Sequence, residues 1–319
     1  MKNLNRIEIK DFKIFKGKHK IAMSRDASKP ITVVETQRGS GKTTLQGAIY
    51  WCLFGETISR YNEAPLLNHE TASQMEMFGS ETVEVELVFN TGAKMRSFKR
   101  VQNYSKKLEL AESGQLLFID GEQCDRRTYA AAISELTHNG LGKMLFISNE
   151  IDEKTYSRKL MREIFSNIPV NEHIRSRILD TIESEVTDLY NTFRKLQNPV
   201  RIKFAENFQM ESRYISGELA EFPYGATSIL NLSLALACIK VFEETLSGLP
   251  IIIDELLPMH MDDEFVKMLV SELYPWQMLI LLHNVTAAKL MADEDEVIGK
   301  WYSILPNEDY TGIEINTVF

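Results

Sequence analysis

Glu35-Thr36-Gln37-Arg38-Gly39-Ser40-Gly41-Lys42-Thr43-Thr44 follows the apolar run Ile31-Thr32-Val33-Val34 and precedes Leu45-Gln46-Gly47-Ala48-Ile49-Tyr50-Trp51-Cys52-Leu53-Phe54. A strand, a Gly-rich turn and a helix in this order point backbone N–H groups and a helix N-terminus at a phosphate chain. The P-loop pattern asks for Gly, four residues, then Gly-Lys-Ser/Thr. Thr36 holds the first Gly position, and Gly41, Lys42 and Thr43 fit the rest. The expected phosphate-binding residues are therefore Gln37, Arg38, Gly39, Ser40, Gly41, Lys42, Thr43 and Thr44. Lys42 is expected against the β- and γ-phosphates, and the Thr43 hydroxyl on Mg²⁺. The competing reading is a Gly/Ser turn capped by Thr43 that binds nothing, but the flanking strand and helix are the context the motif requires.

Composition sets the frame for this motif. A chain of 319 residues holds one large α/β domain or two lobes. Charged residues make up 25%, and no apolar stretch approaches the ~20 residues of a membrane span, so a protein without membrane segments is expected. Met1 to Arg6 lacks the apolar core of a signal peptide. Cys52, Cys124 and Cys238 are scattered, with neither a disulfide framework nor a zinc pattern, which fits a reducing, cytoplasmic compartment.

A net charge of −9 argues against a wholly basic nucleic-acid surface, yet the charge is uneven. The first thirty residues carry nine Lys/Arg, and Lys94 to Lys107 contains six with no acid. Such runs are either solvated strand faces or patches that track a phosphate backbone. Lys99, Arg100, Lys106 and Lys107 are the candidates in the second run.

Strands are expected at Leu4 to Ile9, Lys18 to Met23, Ile31 to Val34 and Thr82 to Phe89. Asn90-Thr91-Gly92 then turns into a basic strand through Val101. Further strands are expected near Leu108 to Leu110 and Leu116 to Ile119, and a helix around Arg127 to Leu136. Residues 1–152 thus read as a sheet-rich lobe carrying the P-loop.

In the middle, Ile174, Ile178, Ile182, Val186, Leu189, Phe193 and Leu196 recur every three or four residues. That is one apolar stripe on a helix of about 27 residues, started by Asn171 or the Pro169 region. An amphipathic segment from Glu153 to Phe165 is expected to pack on it as a helical hairpin. Residues 153–210 therefore read as a helical insert, and 211–319 as a second α/β lobe.

In that lobe Ala226 to Leu246 reads as a helix. Two apolar strands, Leu249 to Glu255 and Gln277 to His283, suit a parallel sheet covered on both faces. Ligands gather at the carboxyl ends of such strands. Asp254 is expected to hold Mg²⁺ with Thr43, Glu255 to orient or deprotonate an attacking water, and His283 to contact the γ-phosphate.

The segments Ile7-Glu8-Ile9-Lys10-Asp11-Phe12-Lys13-Ile14-Phe15-Lys16-Gly17, Pro30 to Val34, Arg38 to Thr44, Ala48 to Gly55 and Ile251 to Glu255, in this order, resemble the ABC-type ATPase heads of the SMC, RecF and SbcC group. Within that group the N-terminus is most similar to the DndD-like branch, linked to DNA modification and phage defence. The resemblance implies an α/β P-loop NTPase fold of ABC-head type, ATP and Mg²⁺ as ligands, and two heads closing on two ATP molecules as a homodimer. It makes Lys13 the counterpart of a basic residue that touches the nucleotide.

Leu145 to Ile151 resembles the Q-loop, with Ser148 in its metal-contacting position. Pro223-Tyr224-Gly225-Ala226 stands where the signature segment belongs, and only Gly225 survives from it. Ser216-Gly217-Glu218 imitates that signature but is set aside because Pro223 interrupts the helix it would begin. Asp262 resembles the D-loop Asp. The long coiled-coil arms of some relatives are missing, and no nuclease cluster is visible, so a separate nuclease or effector partner is implied. The expectation is an ATP-dependent switch. The alternatives are a nucleotide-binding scaffold without turnover, suggested by Thr36, Ser148 and the eroded signature, and a transport ATPase, which the N-terminal motif disfavours.

Overall fold

A computed structural model describes residues 3–37, 41–56, 65–106, 110–148, 156–167, 171–194, 199–214, 216–220, 226–246, 248–254, 263–283, 296–307 and 312–319. In chain order the strands are β1 (Asn3–Phe12), β2 (Phe15–Ala22), β3 (Ile31–Thr36), β4 (Ser80–Asn90), β5 (Met95–Lys106), β6 (Leu110–Ile119), β7 (Glu122–Cys124), β8 (Phe146–Ser148), β9 (Val200–Phe204), β10 (Met210–Tyr214), β11 (Ile251–Asp254), β12 (Met278–His283), β13 (Ile298–Pro306) and β14 (Ile313–Thr317). The helices are α1 (Lys42–Phe54), α2 (His69–Gln74), α3 (Arg126–Leu136), α4 (Tyr156–Asn167), α5 (Glu172–Arg194), α6 (Ala226–Val241), α7 (Glu243–Leu246) and α8 (Asp263–Leu273). The chain divides into two compact units. One comprises 1–136, 248–255 and 270–319, the other 137–247 and 256–269. These limits cut across the sequential partition 1–152, 153–210 and 211–319, because strand pairing gathers segments distant in sequence.

The first unit contains an antiparallel sheet in the order β2-β1-β4-β5-β6-β7. Alternation sends Ile7, Ile9, Val83, Val85, Leu87 and Phe98 inward, where they are buried, while Glu8, Lys10, Glu84 and Glu86 face outward. Strand β6 takes in the strand expected at Leu116 to Ile119, and most of the one expected near Leu108 to Leu110 lies outside the described residues. The unit's second sheet runs β14-β13-β3-β12-β11. Here β11, β12, β3 and β13 are parallel and β14 is antiparallel. The near-continuous apolar runs of β3, β11 and β12 are those of strands covered on both faces.

Helix α1 packs against β1, β4 and β5 of the first sheet and β11 of the second. Its Leu45, Ala48, Ile49, Trp51, Cys52 and Leu53 are all buried, so the helix is apolar nearly all round. Two side chains stitch the sheets together. The Gln277 carboxamide accepts from Leu4 N and donates to Leu4 O and Ser24 O, and the Tyr302 hydroxyl bridges Ala22 N and O.

Strands β13 and β14 carry no counterpart in the sequence reading. A register shift between Ile298 and Lys300 breaks the alternation of β13. Gly299 sits at that shift, where a Cβ would come within 2.1 Å of Ser24 Oγ.

In the second unit α5 packs chiefly on α6. This corrects the expected hairpin with the preceding helix, since α4 makes its larger contacts with α6 and the 3-10 turn Leu141–Leu145. Asn171 starts α5 as expected, its Oδ1 accepting from Ile174 N at 2.9 Å. The stripe is buried from Ile182 to Phe193, Ile174 is 42% exposed, and Leu196 lies outside the described residues.

A hairpin, β9–β10, straddles the end of the expected helical insert. It lies on α5 through a polar ladder. Glu183 accepts from Phe204 N, Thr187 from Ile202 N and Asn191 from Val200 N. Four helical residues rise about 6 Å, nearly the ~6.6 Å of two strand residues, so the two periods match. Helix side chains thus satisfy a strand that apolar alternation does not reveal.

The long helix expected over Ala226 to Leu246 is broken at Phe242, between α6 and α7. Ser216-Gly217-Glu218 forms a turn after β10, with Gly217 N donating to Tyr214 O, rather than a helix start. Among the described residues no helix is long and apolar enough to cross a membrane.

Candidate nucleotide site

The site lies within the first unit, where the parallel register assembles it. His283 pairs with Thr36, and Asp254 pairs with Leu281, two residues before His283. Steps of two keep the same face of a sheet, so Asp254, His283 and Thr36 meet on one face at the carboxyl ends of three adjacent strands. The N-terminus of α1 closes onto them. Gly41 begins the helix at φ +101°, and its carbonyl accepts from Leu45 N at 2.8 Å. A Cβ on Gly41 would stand 2.9 Å from Ile14 Cγ2, so the turn between β1 and β2 backs directly onto the last P-loop glycine.

Two contacts define the chemistry. Thr43 Oγ1 donates to Asp254 Oδ2 at 2.7 Å. Lys42 Nζ, its residue only 6% exposed, lies 3.1 and 3.3 Å from the two ring nitrogens of His283 and 3.3 Å from Thr36 Oγ1. The Thr36 hydroxyl passes its own proton to Gln37 O at 2.8 Å. An ammonium only donates, so hydroxyl and imidazole are both acceptors toward it. A hydroxyl and a carboxylate oxygen converging on one point are the hard donors that Mg²⁺ selects, so Thr43 and Asp254 fit that ion. The first N–H groups of α1 have no partner four residues back within the helix, and the helix dipole adds to their attraction for anions.

Lys13 precedes Ile14 in the turn at φ +55°, half-buried, and burial lowers its pKa from the ordinary lysine range. Thr44 lies in the first turn of α1, and Gln37, directly after β3, is exposed. The structure therefore brings together Thr43, Asp254, Lys42 and His283. Arg38, Gly39, Ser40, Gly225, Glu255 and Asp262 lie outside the described residues, as do residues 107–109. Of Ser148 only the backbone, in β8, is described.

The second basic stretch, read above as either a solvated strand face or a phosphate-tracking patch, has its described charges engaged within the fold. Lys94 and Arg96 pair with Asp120 at 3.7 and 3.3 Å, Lys99 pairs with Glu84, and Lys106 Nζ donates to Met75 O at 3.0 Å. Arg100 is in the core. Its Nε donates to Cys52 O at 3.1 Å and Nη1 to Gln115 Oε1 at 2.9 Å, and the guanidinium lies over the rings of Trp51 and Tyr129. Acidic β4 pairs with Lys99, and the C-terminus of α1 claims Arg100, so among the described residues neither side chain is an uncompensated surface charge. In the first stretch Lys18 and Lys20 stay exposed on edge strand β2, where lysines also guard a sheet edge.

Two functional contributors escape the sequence reading. Thr36 is visible there only as a departure from the P-loop pattern, yet it holds Lys42. Asn68, an N-cap ahead of Glu70 and Thr71, belongs to none of the motifs, although its side chain reaches Lys13 O.

Comparison with known proteins identifies the family and the fold. The AAA domain family matches residues 6–200. Among solved structures, an Smc head bound to the C-winged helix domain of ScpA superposes with a TM-score of 0.71 at 15% identity, covering 99% of this chain and 97% of that one. The SMC head domain from Thermotoga maritima gives 0.58 at 14%, covering 99% of each chain. The recombination mediator protein RecF with ATP gives 0.56 at 13%, covering 100% and 98%. These likenesses define the fold as that of SMC and RecF heads. None of the curated proteins matches this sequence.

Proposed function

The chain belongs to the AAA domain family, and from that premise we propose that it binds and hydrolyses ATP as an SMC-like switch. The observation that carries the proposal is the convergence of Lys42, Thr43, Asp254 and His283 at the carboxyl ends of β3, β11 and β12. In this reading Lys42 leaves its His283 and Thr36 contacts to meet the β- and γ-phosphates, and the N–H groups of α1 hold the phosphate oxygens. Thr43 and Asp254 would hold Mg²⁺, which neutralises charge on the phosphates when bound. Glu255 follows β11 directly and orients the attacking water; His283 answers to the γ-phosphate.

Closure of two heads, driven by ATP, fits the family resemblance, as does control of DNA or of a nuclease or effector partner in repair or phage defence. RecF, one of the similar structures, is a recombination mediator protein with ATP bound. The solvent-facing lysines of β2 are the DNA-contact candidates in this reading.

The test is titration of the purified chain with Mg-ATP in a calorimeter, together with phosphate release. Saturable heat and turnover, both abolished by Lys42→Ala, are expected. No heat from natively folded protein overturns the proposal. Saturable binding without turnover in the wild type supports the scaffold reading instead, which Thr36 at the first P-loop position favours.

A further inference from the structure

The turn that joins β1 to β2 is built in an unfavourable backbone. Asp11 and Lys13, neither a glycine, both sit in the left-handed region at φ +51° and +55°. Such conformations crowd a side chain's Cβ against the backbone and persist only where surrounding structure over-determines them. Gly17 N holds Asp11 Oδ1 from within the hairpin at 2.9 Å, and residues 66–71 supply the remaining restraints. Leu66 O accepts from Lys13 N at 2.7 Å, Asn68 N donates to Asp11 O at 2.8 Å, and Leu67 bridges Phe12. Thr71 Oγ1 donates to Asp11 Oδ1 at 2.8 Å.

At the centre is the Asn68 side chain, 2% exposed. Its Nδ2 donates to Lys13 O at 2.6 Å, while its Oδ1 caps α2 by accepting from Glu70 N and Thr71 N. The two ends of one carboxamide thus fix α2 and the strained turn at once. Ile14, the next residue, is the one that abuts Gly41, so the turn cannot relax without moving on the P-loop.

We propose that Asn68 is a positioning residue for nucleotide binding: it holds Lys13 in the strained turn at the height of the P-loop, so that the ammonium meets the phosphates without a further ordering cost. The inference rests on the ATP reading above. Preorganisation is its physical content. A lysine on a relaxed turn has more conformations to lose on binding, and the difference appears as affinity. Asn68 acts through Lys13 and does not touch the ligand.

The two functions of the carboxamide can be separated. Asn68→Ser keeps an oxygen that caps a helix but cannot reach Lys13 O, and Asn68→Asp keeps the shape while replacing the donor with an acceptor. Affinity for the non-hydrolysable analogue Mg-AMP-PNP is measured on the full chain, with thermal unfolding as a control for folding. Both variants are expected to bind about tenfold more weakly than wild type, near the level of Lys13→Ala. Adding Asn68→Ser to Lys13→Ala is expected to cost no more than a further twofold, because a turn without its lysine has nothing left to position. A purely structural role predicts losses that multiply, and multiplied losses overturn the inference. So does unchanged affinity in both Asn68 variants while wild type binds. Wild-type protein that fails to bind the analogue overturns the nucleotide reading and this inference together.

Discussion

The hydroxyl of Thr43 donates to the carboxylate of Asp254 across 2.7 Å, although 211 residues separate them in the chain. One sits in the first turn of the helix after the P-loop, and the other ends β11, the strand beyond the direct neighbour of β3. The contact exists because β12 lies between β3 and β11 and sets the height of both. A two-residue slip in either pairing would move Asp254 by about 6.6 Å, out of reach of the hydroxyl.

Removing either oxygen of this pair should therefore act on metal-dependent binding. Asp254→Asn and Thr43→Val are each expected to weaken Mg-ATP affinity at least tenfold while changing metal-free ATP affinity by less than threefold. Titrations with and without Mg²⁺ check this. Equal losses in both conditions would mean that the pair organises the loop rather than the ion.

Arg100 makes the opposite kind of prediction, about stability. Arg100→Ala removes the donor to Cys52 O and opens a void beneath Trp51 and Tyr129, at a cost of about 2–4 kcal/mol. Arg100→Met keeps the packed stem and should cost less. Denaturant midpoints at unchanged slope check the order. If the chain binds DNA, Arg100→Met should leave the salt dependence of binding unchanged, whereas Lys18→Glu with Lys20→Glu should flatten it.

The proposed two-head sandwich makes a prediction of its own. Glu255→Gln is expected to slow hydrolysis and accumulate a dimer in Mg-ATP, seen as a doubling of mass by light scattering. A variant that stays monomeric at saturating Mg-ATP would sink the two-head sandwich for this chain.

Residues 31–54 are legible from one dimension because their pattern is local, although their contacts are not. A strand, a tight turn and a helix follow each other, and the P-loop spacing carries its own geometry. The stripe on α5 reveals the helix and its Asn171 cap for the same reason. The fate of the basic strand is not legible, since nothing near Arg100 in sequence announces that Cys52 O, Trp51 and Gln115 surround it. The β9–β10 hairpin is hidden because Glu183, Thr187 and Asn191, polar residues on a helix, supply the hydrogen bonds that a neighbouring strand would otherwise give.

Residue order alone specifies that a phosphate-binding turn precedes α1 and that acid-ended and histidine-ended apolar strands follow far downstream. The three-dimensional fold settles that these pieces meet on one sheet face, that Lys42 rests on Thr36 and His283, and that Asn68 reaches the turn of Lys13. Turn chemistry and periodicity are properties of neighbouring residues and are written in their order. The pairing of distant strands is selected by burial and register across the whole unit, and no single segment contains it.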